Sequence, residues 1–255
     1  MGSALIGGLI AGEWCGPTEI LAIDPSAMVR DELTVRHPGL RVMDALPTDE
    51  RAGGAVIAVK PQYAVEACRS VAPAVAGGRV LSIAAGVTLA SLEVALGPGV
   101  AVVRSMPNTP AVVGLGASAI ACGASAGATD LAWARSILER VGIVEVVPES
   151  QLDAVTGLSG SGPAYVFLVA EALIEGGVLN GLPRATAEAL AIQTLRGAAA
   201  LLAQPGAEAA RLRADVTSPG GTTAAGLKAL EAGALRHTIL EAVTRATQRS
   251  RELGG

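Results

Sequence analysis

GGAVIAVKPQYAVEACRSVAPAVAGGRVLSIAAGV, residues 53–87, contains the pattern that decides the fold. Two short runs of β-branched and small apolar residues, Ala55–Val59 and Val80–Ile83, flank a segment with helical spacing, Pro61–Val71. Strands that alternate with helices in this way are typical of a βαβ unit, in which the two strands lie parallel. The stretch therefore predicts one repeat of an α/β sheet.

The same alternation extends from residue 19 to about residue 147. The other predicted strands are Glu19–Asp24, Arg41–Met43, Val100–Arg104, Ala117–Ala121 and Ile143–Val147. The other predicted helices are Pro25–Arg36, Leu89–Leu96 and Thr129–Val141, the last closed by Gly142 as a left-handed cap. This order predicts an α/β fold with a Rossmann-like, doubly wound and largely parallel sheet in residues 1–148.

The strand pattern stops after Pro148. The remaining chain predicts helices over Pro163–Ile174, Pro183–Leu202, Glu208–Val216, Thr222–Ala232 and Leu235–Leu253. Residues 149–255 are therefore expected to form an all-α dimerisation and substrate domain. The first of these helices is apolar nearly all round, which the surface of a monomer does not tolerate, so a second subunit is expected to help cover it. The alternative is a central helix in a monomeric bundle.

The composition excludes several classes of protein. Hydrophobic residues make up 51% of the 255 positions and charged residues 16%, so a core forms and disorder is not expected. A net charge of -4 with scattered charges gives no basic surface for nucleic acid or for a membrane. Three cysteines and two histidines lack metal-ligand spacing, which predicts a reducing cytoplasm and no metal. The uncharged stretch 105–129 is broken by prolines and does not predict a membrane span. Residues 4–12 do not predict a signal peptide, because no basic residue precedes them.

The first residues resemble the second half of a dinucleotide-binding fingerprint. Gly2 and Ser3 stand where the last glycine of the motif precedes its helix, whereas the first strand and the first two glycines are absent. Asp24 ends the next predicted strand 22 residues after Gly2, close to the usual spacing of the carboxylate that binds the adenosine ribose. This carboxylate would repel a 2′-phosphate and therefore favours NADH over NADPH. The alternative is that Asp24 only caps the helix that begins at Pro25.

Two further strand ends carry candidate cofactor residues, because open α/β sheets bind ligands at the carboxyl ends of their strands. Lys60 is one of only two lysines among 19 basic residues and lies within the run Ala58, Val59, Lys60 and Pro61. A solvated residue at a helix start is the alternative. Ile83, Ala84 and Ala85 follow the next strand and are small enough for a flat ring to approach the backbone, although ordinary close packing also explains them.

Asn108 lies in a third such loop, Arg104–Pro110, which Pro107 and Pro110 stiffen. Its amide can face the same cleft as the other candidate cofactor residues. The alternative is a structural turn in which Asn108 bonds its own backbone.

The segment Asp215–Thr223 predicts an anion site. Ser218 and Pro219 suit the N-cap and the first position of a helix, and the two glycines that follow expose backbone N–H groups. Together they suit a carboxylate bound at a helix N-terminus. A plain cap does not need the two glycines and the two threonines, so we favour function here over a cap alone.

Five motifs are similar, in order and spacing, to pyrroline-5-carboxylate reductases. They are Ala-Val-Lys-Pro (58–61), Ser-Ile-Ala-Ala-Gly (82–86), Arg-x-Met-Pro-Asn-Thr-Pro (104–110), Leu-Ser-Gly-Ser-Gly-Pro-Ala-Tyr (158–165) and Val-Thr-Ser-Pro-Gly-Gly-Thr-Thr (216–223). The resemblance covers the whole chain. It implies a Rossmann domain, an interlocking helical dimerisation domain, often rings of dimers, and reduction of 1-pyrroline-5-carboxylate to L-proline by NADPH or NADH.

The resemblance also assigns roles to residues. Residues 58–61 and 83–85 would line the nicotinamide, Ser218, Gly221 and Thr222 would hold the substrate carboxylate through N–H groups, and the Thr223 hydroxyl would contact the ring nitrogen as the catalytic group. Glu149 aligns with an acidic residue near the substrate. The chain departs from the family at its start, where Met1 aligns with the residue before the last glycine of the motif, and at Asp24, which replaces small polar residues common in NADPH-preferring members.

The residue types fit this chemistry without a metal or a histidine. Reduction of a protonated imine needs a hold on the carboxylate, a small polar contact at nitrogen and good placement of the two reactants. Two alternatives stay open. One is a related imine or hydroxyacid reductase of the same architecture, although Lys228 follows the threonines and does not replace them. The other is a truncated, non-catalytic dimerisation module.

Overall fold

A computed structural model describes residues 1–254 and divides the chain into two compact units. The first comprises Met1–Ser161 together with the residues from Thr244 onward, and the second comprises Gly162–Val243. Residues 149–161, which we expected in the helical domain, thus belong to the first compact unit. The domain boundary at residue 148 stays a prediction.

The first unit alternates strands and helices. Its strands are β1 (Leu21–Ile23), β2 (Arg41–Met43), β3 (Gly54–Ile57), β4 (Arg79–Ser82), β5 (Ala101–Met106), β6 (Gly116–Cys122) and β7 (Gly142–Val146). Its helices are α1 (Gly2–Ala11), α2 (Ala27–Arg36), α3 (Ala64–Val71), α4 (Leu89–Leu96), α5 (Ala128–Leu138) and α6 (Leu152–Val155), with short 3-10 turns at Pro17–Glu19, Pro61–Tyr63, Thr109–Val113 and Glu149–Gln151 and a π-helical turn at Thr156–Gly160. Every strand predicted from the sequence is present, with small shifts at the ends.

The strands form two sheets. β1 pairs with β2 in parallel, and the larger sheet has the order β3-β4-β5-β6-β7. All neighbouring strands in it are parallel except β5 and β6, which run antiparallel. The prediction of a largely parallel sheet is confirmed.

Apolar side chains cover both faces of the larger sheet, as a doubly wound fold requires. Val80 and Val102 pack on one side with residues of α3 and α4. The next residue of each strand, Leu81 and Val103, packs on the opposite side with α1 and α5. This alternation follows from the two-residue period of a strand.

Gly142 does not cap α5. That helix ends at Leu138, and Gly142 is the first residue of β7, paired with Gly116. A Cβ atom at Gly142 would overlap the carbonyl oxygen of Gly116. The glycine is therefore needed for close approach of two strands and not for a helix end.

The second unit is helical. It contains α7 (Gly162–Leu179), α8 (Arg184–Leu202), α9 (Ala209–Asp215), α10 (Thr222–Ala232) and the first part of α11 (Leu235–Gly254). α7 and α8 form a hairpin that turns at Gly181, whose φ of 95° favours glycine. The hairpin is tight, because a Cβ atom at Gly177 would stand 2.9 Å from the Cβ of Ala187.

The helical stretch Glu149–Leu179 has an unusual surface. By length and composition alone, it is long and apolar enough to cross a membrane. None of the residues in its most apolar 18-residue segment is buried. Phe167 and Leu168 are 61% and 65% exposed, and α7 has no buried residue. A single chain therefore does not cover this helix, as the apolar pattern predicted.

Candidate active site

The carboxyl ends of three neighbouring parallel strands bring the candidate cofactor residues together. Ile57, Ser82 and Arg104 pair side by side across β3, β4 and β5. Residues 58–61 directly follow the first of these strands, and residues 83–85 follow the second. Ala58, Val59 and Lys60 are exposed, whereas Ala84 is buried. These exposed residues lie at the carboxyl edge of the sheet, which is the edge where open α/β sheets bind their ligands.

The N-terminus of α1 lies against this edge. A Cβ atom on Gly2 would stand 3.3 Å from the Cβ of Ala58, so the helix start approaches the end of β3 closely. The N–H groups of Gly2, Ser3 and Ala4 have no backbone acceptor among the described residues. Free amides at a helix N-terminus favour an anion such as a phosphate. The residues present therefore fit a dinucleotide whose pyrophosphate binds at α1.

Close packing holds α1 in this position. A Cβ atom on Gly8 would stand 2.5 Å from Cγ1 of Val141, and one on Gly12 would stand 2.7 Å from Cδ of Arg140. Arg140 Nη1 donates a hydrogen bond to the Gly12 carbonyl oxygen at 3.2 Å. Gly8, and Gly12 directly after the helix, thus allow the close approach of α1 to residues 140–141.

Asp24 lies at the carboxyl end of β1 and is partly buried. Its Oδ1 accepts a hydrogen bond from the N–H of Ser26 at 2.8 Å. Ser26 is the N-cap of α2, so Pro25 precedes the helix and is not its first residue. Asp24 therefore supports the helix start, as the capping alternative required, and its Oδ2 has no hydrogen-bond partner among the described residues.

Lys60 is exposed and precedes the 3-10 turn Pro61–Tyr63, where its carbonyl oxygen accepts the N–H of Tyr63 at 2.9 Å. In the part of the chain that the structure describes, Lys60 forms no ion pair. Lys60 thus lies at the carboxyl edge of the sheet, as predicted, and no acidic side chain of the described residues pairs with its ammonium group.

Asn108 has a structural role that sequence analysis did not predict. Its Oδ1 accepts the N–H of Ala117 at 2.8 Å, and its Nδ2 donates to the carbonyl oxygen of Ser159 at 3.0 Å. The amide is 9% exposed. Neither side-chain partner is the Asn108 backbone, so the turn alternative is wrong in detail, and the role of Asn108 in cofactor binding stays a prediction.

Glu149 is engaged within the first unit. Its Oε1 accepts hydrogen bonds from Arg104 Nη1 at 2.8 Å and from the N–H of Leu89, at the start of α4, at 2.7 Å. The sequence motif that contains Arg104 does not indicate this role. The two residues are 45 positions apart, and no local pattern indicates the pairing.

The segment before α10, where an anion site is predicted, has a different geometry from the one expected. Ser218–Gly221 is a reverse turn closed by the Gly221 N–H and the Ser218 carbonyl oxygen at 3.1 Å, with Gly220 at a φ of 68°. The N-cap is Gly221 and the helix begins at Thr222, so the assignment of Ser218 as N-cap is wrong. The positive φ at Gly220 explains why this position requires glycine.

The amides at the start of α10 are available. The N–H groups of Thr222, Thr223 and Ala224 have no backbone acceptor among residues 1–254, and no side chain caps the helix. A Cβ atom on Gly221 would collide with the Ser218 hydroxyl, so only glycine lets this hydroxyl stand beside the helix start. The arrangement can bind a carboxylate.

Comparisons with known proteins identify the family of the chain. A family model described as pyrroline-5-carboxylate reductase dimerisation matches residues 149–253. A pyrroline-5-carboxylate reductase from Synechocystis is 44% identical over all of this chain and 95% of its own length. One from Methanosarcina acetivorans is 42% identical over all of this chain and 94% of its own length.

Solved structures give the same result. The pyrroline-5-carboxylate reductase of Coxiella burnetii superposes with a TM-score of 0.93 at 35% identity, over 100% of this chain and 95% of the other. The Plasmodium falciparum enzyme, solved with NADP bound, has a TM-score of 0.86 at 30% identity, over 100% and 95% of the two chains. The chain belongs to the pyrroline-5-carboxylate reductase family.

Proposed function

We propose that this protein reduces 1-pyrroline-5-carboxylate to L-proline, the final step of proline biosynthesis, with a nicotinamide cofactor. The similarity to pyrroline-5-carboxylate reductases over the full chain carries this proposal. It argues against a non-catalytic dimerisation module, because the relatives match the sheet unit as well as the helices. It also favours an imine over a hydroxyacid as substrate.

The cofactor site proposed here lies at the sheet edge. Gly2 and Ser3 at the α1 N-terminus would hold the pyrophosphate, and Ala58, Val59, Lys60, Pro61, Ile83, Ala84 and Ala85 would border the nicotinamide. The fit rests on the free amides of α1 and on the 3.3 Å approach of Gly2 to Ala58. When bound, the cofactor supplies the hydride.

Asp24 leads us to propose NADH as the preferred cofactor. A carboxylate at the end of β1 suits the 2′-hydroxyl of NADH and repels the 2′-phosphate of NADPH. The Plasmodium relative has NADP bound. A site in this family thus accepts the phosphorylated form, and in this proposal the residues around Asp24 set the choice in this chain.

The substrate site proposed here is the start of α10. The free N–H groups near Gly221 and Thr222 would bind the substrate carboxylate, with the Ser218 hydroxyl beside them. The partly buried Thr223 would place its hydroxyl at the imine nitrogen and help to hold the proton there. A protonated imine accepts hydride more readily, so this contact favours the reaction.

Glu149 and Asn108 act differently in this proposal. Both side chains already bind protein groups, so we assign them to positioning. Asn108 holds the loop after β5, and Glu149 fixes Arg104 and the start of α4. The second carboxylate oxygen of Glu149, Oε2, would contact the substrate.

The protein self-associates through its family dimerisation domain, residues 149–253. The exposed apolar residues of α7 are the surface that a second copy would cover. We further propose that dimers assemble into rings and that the enzyme is cytoplasmic, with neither nucleic acid nor membrane as a partner.

A substrate comparison tests the proposal. The purified chain is given NADH or NADPH with 1-pyrroline-5-carboxylate, with another cyclic imine or with a hydroxyacid and the oxidised cofactor, and cofactor absorbance is followed. Fast turnover with 1-pyrroline-5-carboxylate alone supports the assignment. Faster turnover with either of the other substrates would identify a related reductase, and cofactor binding without any turnover would favour a non-catalytic role.

A further inference from the structure

The last residues of α11 lie against the loop between β4 and α4. A Cβ atom on Gly254 would stand 3.0 Å from the carbonyl oxygen of Gly86. One on Gly86 would stand 3.8 Å from the carbonyl oxygen of Leu253, so the two backbones approach each other closely. Gly86 directly follows residues 83–85, which border the nicotinamide in the proposed function. The end of α11 thus contacts the loop that would lie beside the reactive part of the cofactor.

A polar face fixes this end of α11. The buried residues of the helix are Thr247 and Ser250. Spacings of three and four residues place Thr247, Ser250 and Gly254 on one side of the helix. Burial of a hydroxyl group costs free energy unless the group forms a hydrogen bond, so apolar residues would serve a helix that only packs here. The buried hydroxyl residues therefore favour a defined position of the helix over stability alone.

Ser250 supplies a hydrogen bond that fixes the helix. Its hydroxyl donates to Oδ1 of Asp153 at 2.7 Å. Asp153 lies in α6, which directly follows the turn that contains Glu149. Glu149 accepts the N–H of Leu89 at the start of α4, just after the loop. The segment 149–153 thus holds the far end of the loop and the last turns of α11 at the same time.

Gly86 is the point at which the loop can most easily change its course. At the start of the loop, the N–H of Ile83 donates to the carbonyl oxygen of Ile57 at 3.0 Å, and Ala84 is buried. Gly86 is only partly buried and has a φ of 75°, and glycine has access to more backbone conformations than other residues. A contact at Gly86 therefore restricts the part of the loop that is easiest to displace.

We propose that Ser250 is a positioning residue for hydride transfer. Its hydrogen bond to Asp153 holds the last turn of α11 against Gly86, and this contact sets the backbone of residues 83–85 beside the nicotinamide. The inference rests on the proposed function, which supplies the cofactor and the reaction. Ser250 itself touches neither reactant. Because hydride transfer depends on the distance between two carbon atoms, a small displacement of the loop lowers the rate even where the cofactor still binds.

Single-turnover kinetics on the full chain test this role. NADH oxidation is followed by stopped flow at saturating 1-pyrroline-5-carboxylate, and the Kd of ADP-ribose, which lacks the nicotinamide, is measured by calorimetry. Ser250→Ala removes the hydrogen bond, whereas Asp153→Asn keeps an acceptor oxygen for the Ser250 hydroxyl. Gln248→Ala is the matched control, because Gln248 is exposed in the same helix. All measurements are made well below the thermal unfolding of each variant.

A second variant tests the contact with the loop. Gly254→Val adds atoms where a Cβ alone would stand 3.0 Å from the Gly86 oxygen, so the helix end and the loop must separate. The Ser250 and Asp153 side chains are unchanged in this variant. It therefore separates the contact at Gly86 from the hydrogen bond that supports it.

The expected result is a loss of rate without a loss of binding. Ser250→Ala and Gly254→Val should each lower the rate of hydride transfer by about tenfold, and the Kd of ADP-ribose should change by less than about twofold. Asp153→Asn should retain most of the rate, and Gln248→Ala should match the wild type.

Two outcomes would overturn the positioning role. One is a hydride-transfer rate in Ser250→Ala and Gly254→Val equal to that of the Gln248→Ala control. The other is an equal loss of rate and of ADP-ribose affinity, because a general disturbance of the fold affects both halves of the cofactor site. If the folded wild type does not oxidise NADH with 1-pyrroline-5-carboxylate, the proposed function itself fails, and this result is distinct from normal hydride transfer in both variants.

Discussion

Arg104 donates a hydrogen bond to Oε1 of Glu149 at 2.8 Å, and the same oxygen accepts the N–H of Leu89 at 2.7 Å. The side chain of Arg104 is only 9% exposed, whereas that of Glu149 is 34% exposed. One carboxylate thus neutralises a buried cation of β5 and caps the start of α4. The contact fixes the segment that follows Pro148 on the sheet unit.

Removal of Glu149 should therefore destabilise the fold. Glu149→Ala leaves the Arg104 charge buried without a partner. We expect the free energy of unfolding to fall by about 2 kcal/mol. This loss is smaller than for a fully buried pair, because Glu149 is partly exposed. Urea unfolding measures the loss. Glu145→Ala, which removes an exposed carboxylate of β7, is the control. Equal unfolding free energies for the two variants would show that the ion pair has no structural weight.

Gly2 should matter for cofactor binding more than for folding. A valine at this position adds atoms where even a Cβ would stand 3.3 Å from Ala58, so the start of α1 must move away from the strand end. We expect Gly2→Val to weaken NADH binding about tenfold. Gly7→Ala in the same helix is the control, because its Cβ would stand 3.6 Å from His37, an ordinary contact. Calorimetric titration with NADH compares them, and unchanged affinity in Gly2→Val would exclude α1 from the site.

Thr223→Ala should reduce turnover far more than stability. The proposed role of its hydroxyl is to contact the imine nitrogen, and loss of such a group lowers kcat by roughly a hundredfold. Thr222→Ala is the matched control, since Thr222 is proposed to act through its N–H, which alanine retains. Steady-state kinetics and thermal unfolding are measured on both variants. Similar kcat values for the two would remove Thr223 from the mechanism.

Self-association should depend on α7. Phe167→Glu places a charge on an apolar side chain that is 61% exposed in the single chain and that a second copy would bury. We expect the wild type to sediment as a dimer or larger assembly and the variant to shift toward the monomer. Val35→Glu, on a side chain of α2 that is 82% exposed, is the control. If analytical ultracentrifugation finds the Phe167 variant as fully associated as the control, the interface lies elsewhere.

Cys68 should make the stability depend on pH in the alkaline range. Burial raises the pKa of the Cys68 thiol from 9.0 to about 11. The unfolded chain therefore loses this proton at a lower pH than the folded protein, so the contribution is complete below pH 9 and is lost as the pH rises toward 11. We expect the unfolding free energy of the wild type to fall more steeply over this range than that of Cys68→Ala. Parallel pH profiles would contradict this assignment.

The sheet was predictable because its signals are local. Each strand is a short aliphatic run, and Leu89–Leu96 matched its predicted bounds because Thr88 caps its start and Gly97 follows its end. By contrast, the short helix and π-helical turn between residues 152 and 160 were missed, because that segment has neither a clear helical period nor a cap.

Parts of the candidate site depend on contacts that no local pattern encodes. Asn108 binds Ala117 and Ser159, and Glu149 binds Arg104 and Leu89, so tertiary structure alone decides which polar side chains remain free for a ligand. The N-cap of α10 was misassigned to Ser218 for a different reason, although the predicted bounds Thr222–Ala232 are correct. Ser-Pro is a good N-cap signal, but the Gly220–Gly221 pair lets the chain turn first and begin the helix at Thr222.

Transfer of isotope tests the central claim most directly. The purified protein is incubated with 1-pyrroline-5-carboxylate and NADH deuterated at the transferable position, and the product is analysed by mass spectrometry and NMR. The proposed function predicts L-proline with one deuterium on the former imine carbon, formed in equal amount to the cofactor consumed. Absence of labelled proline from folded protein that binds NADH would contradict it.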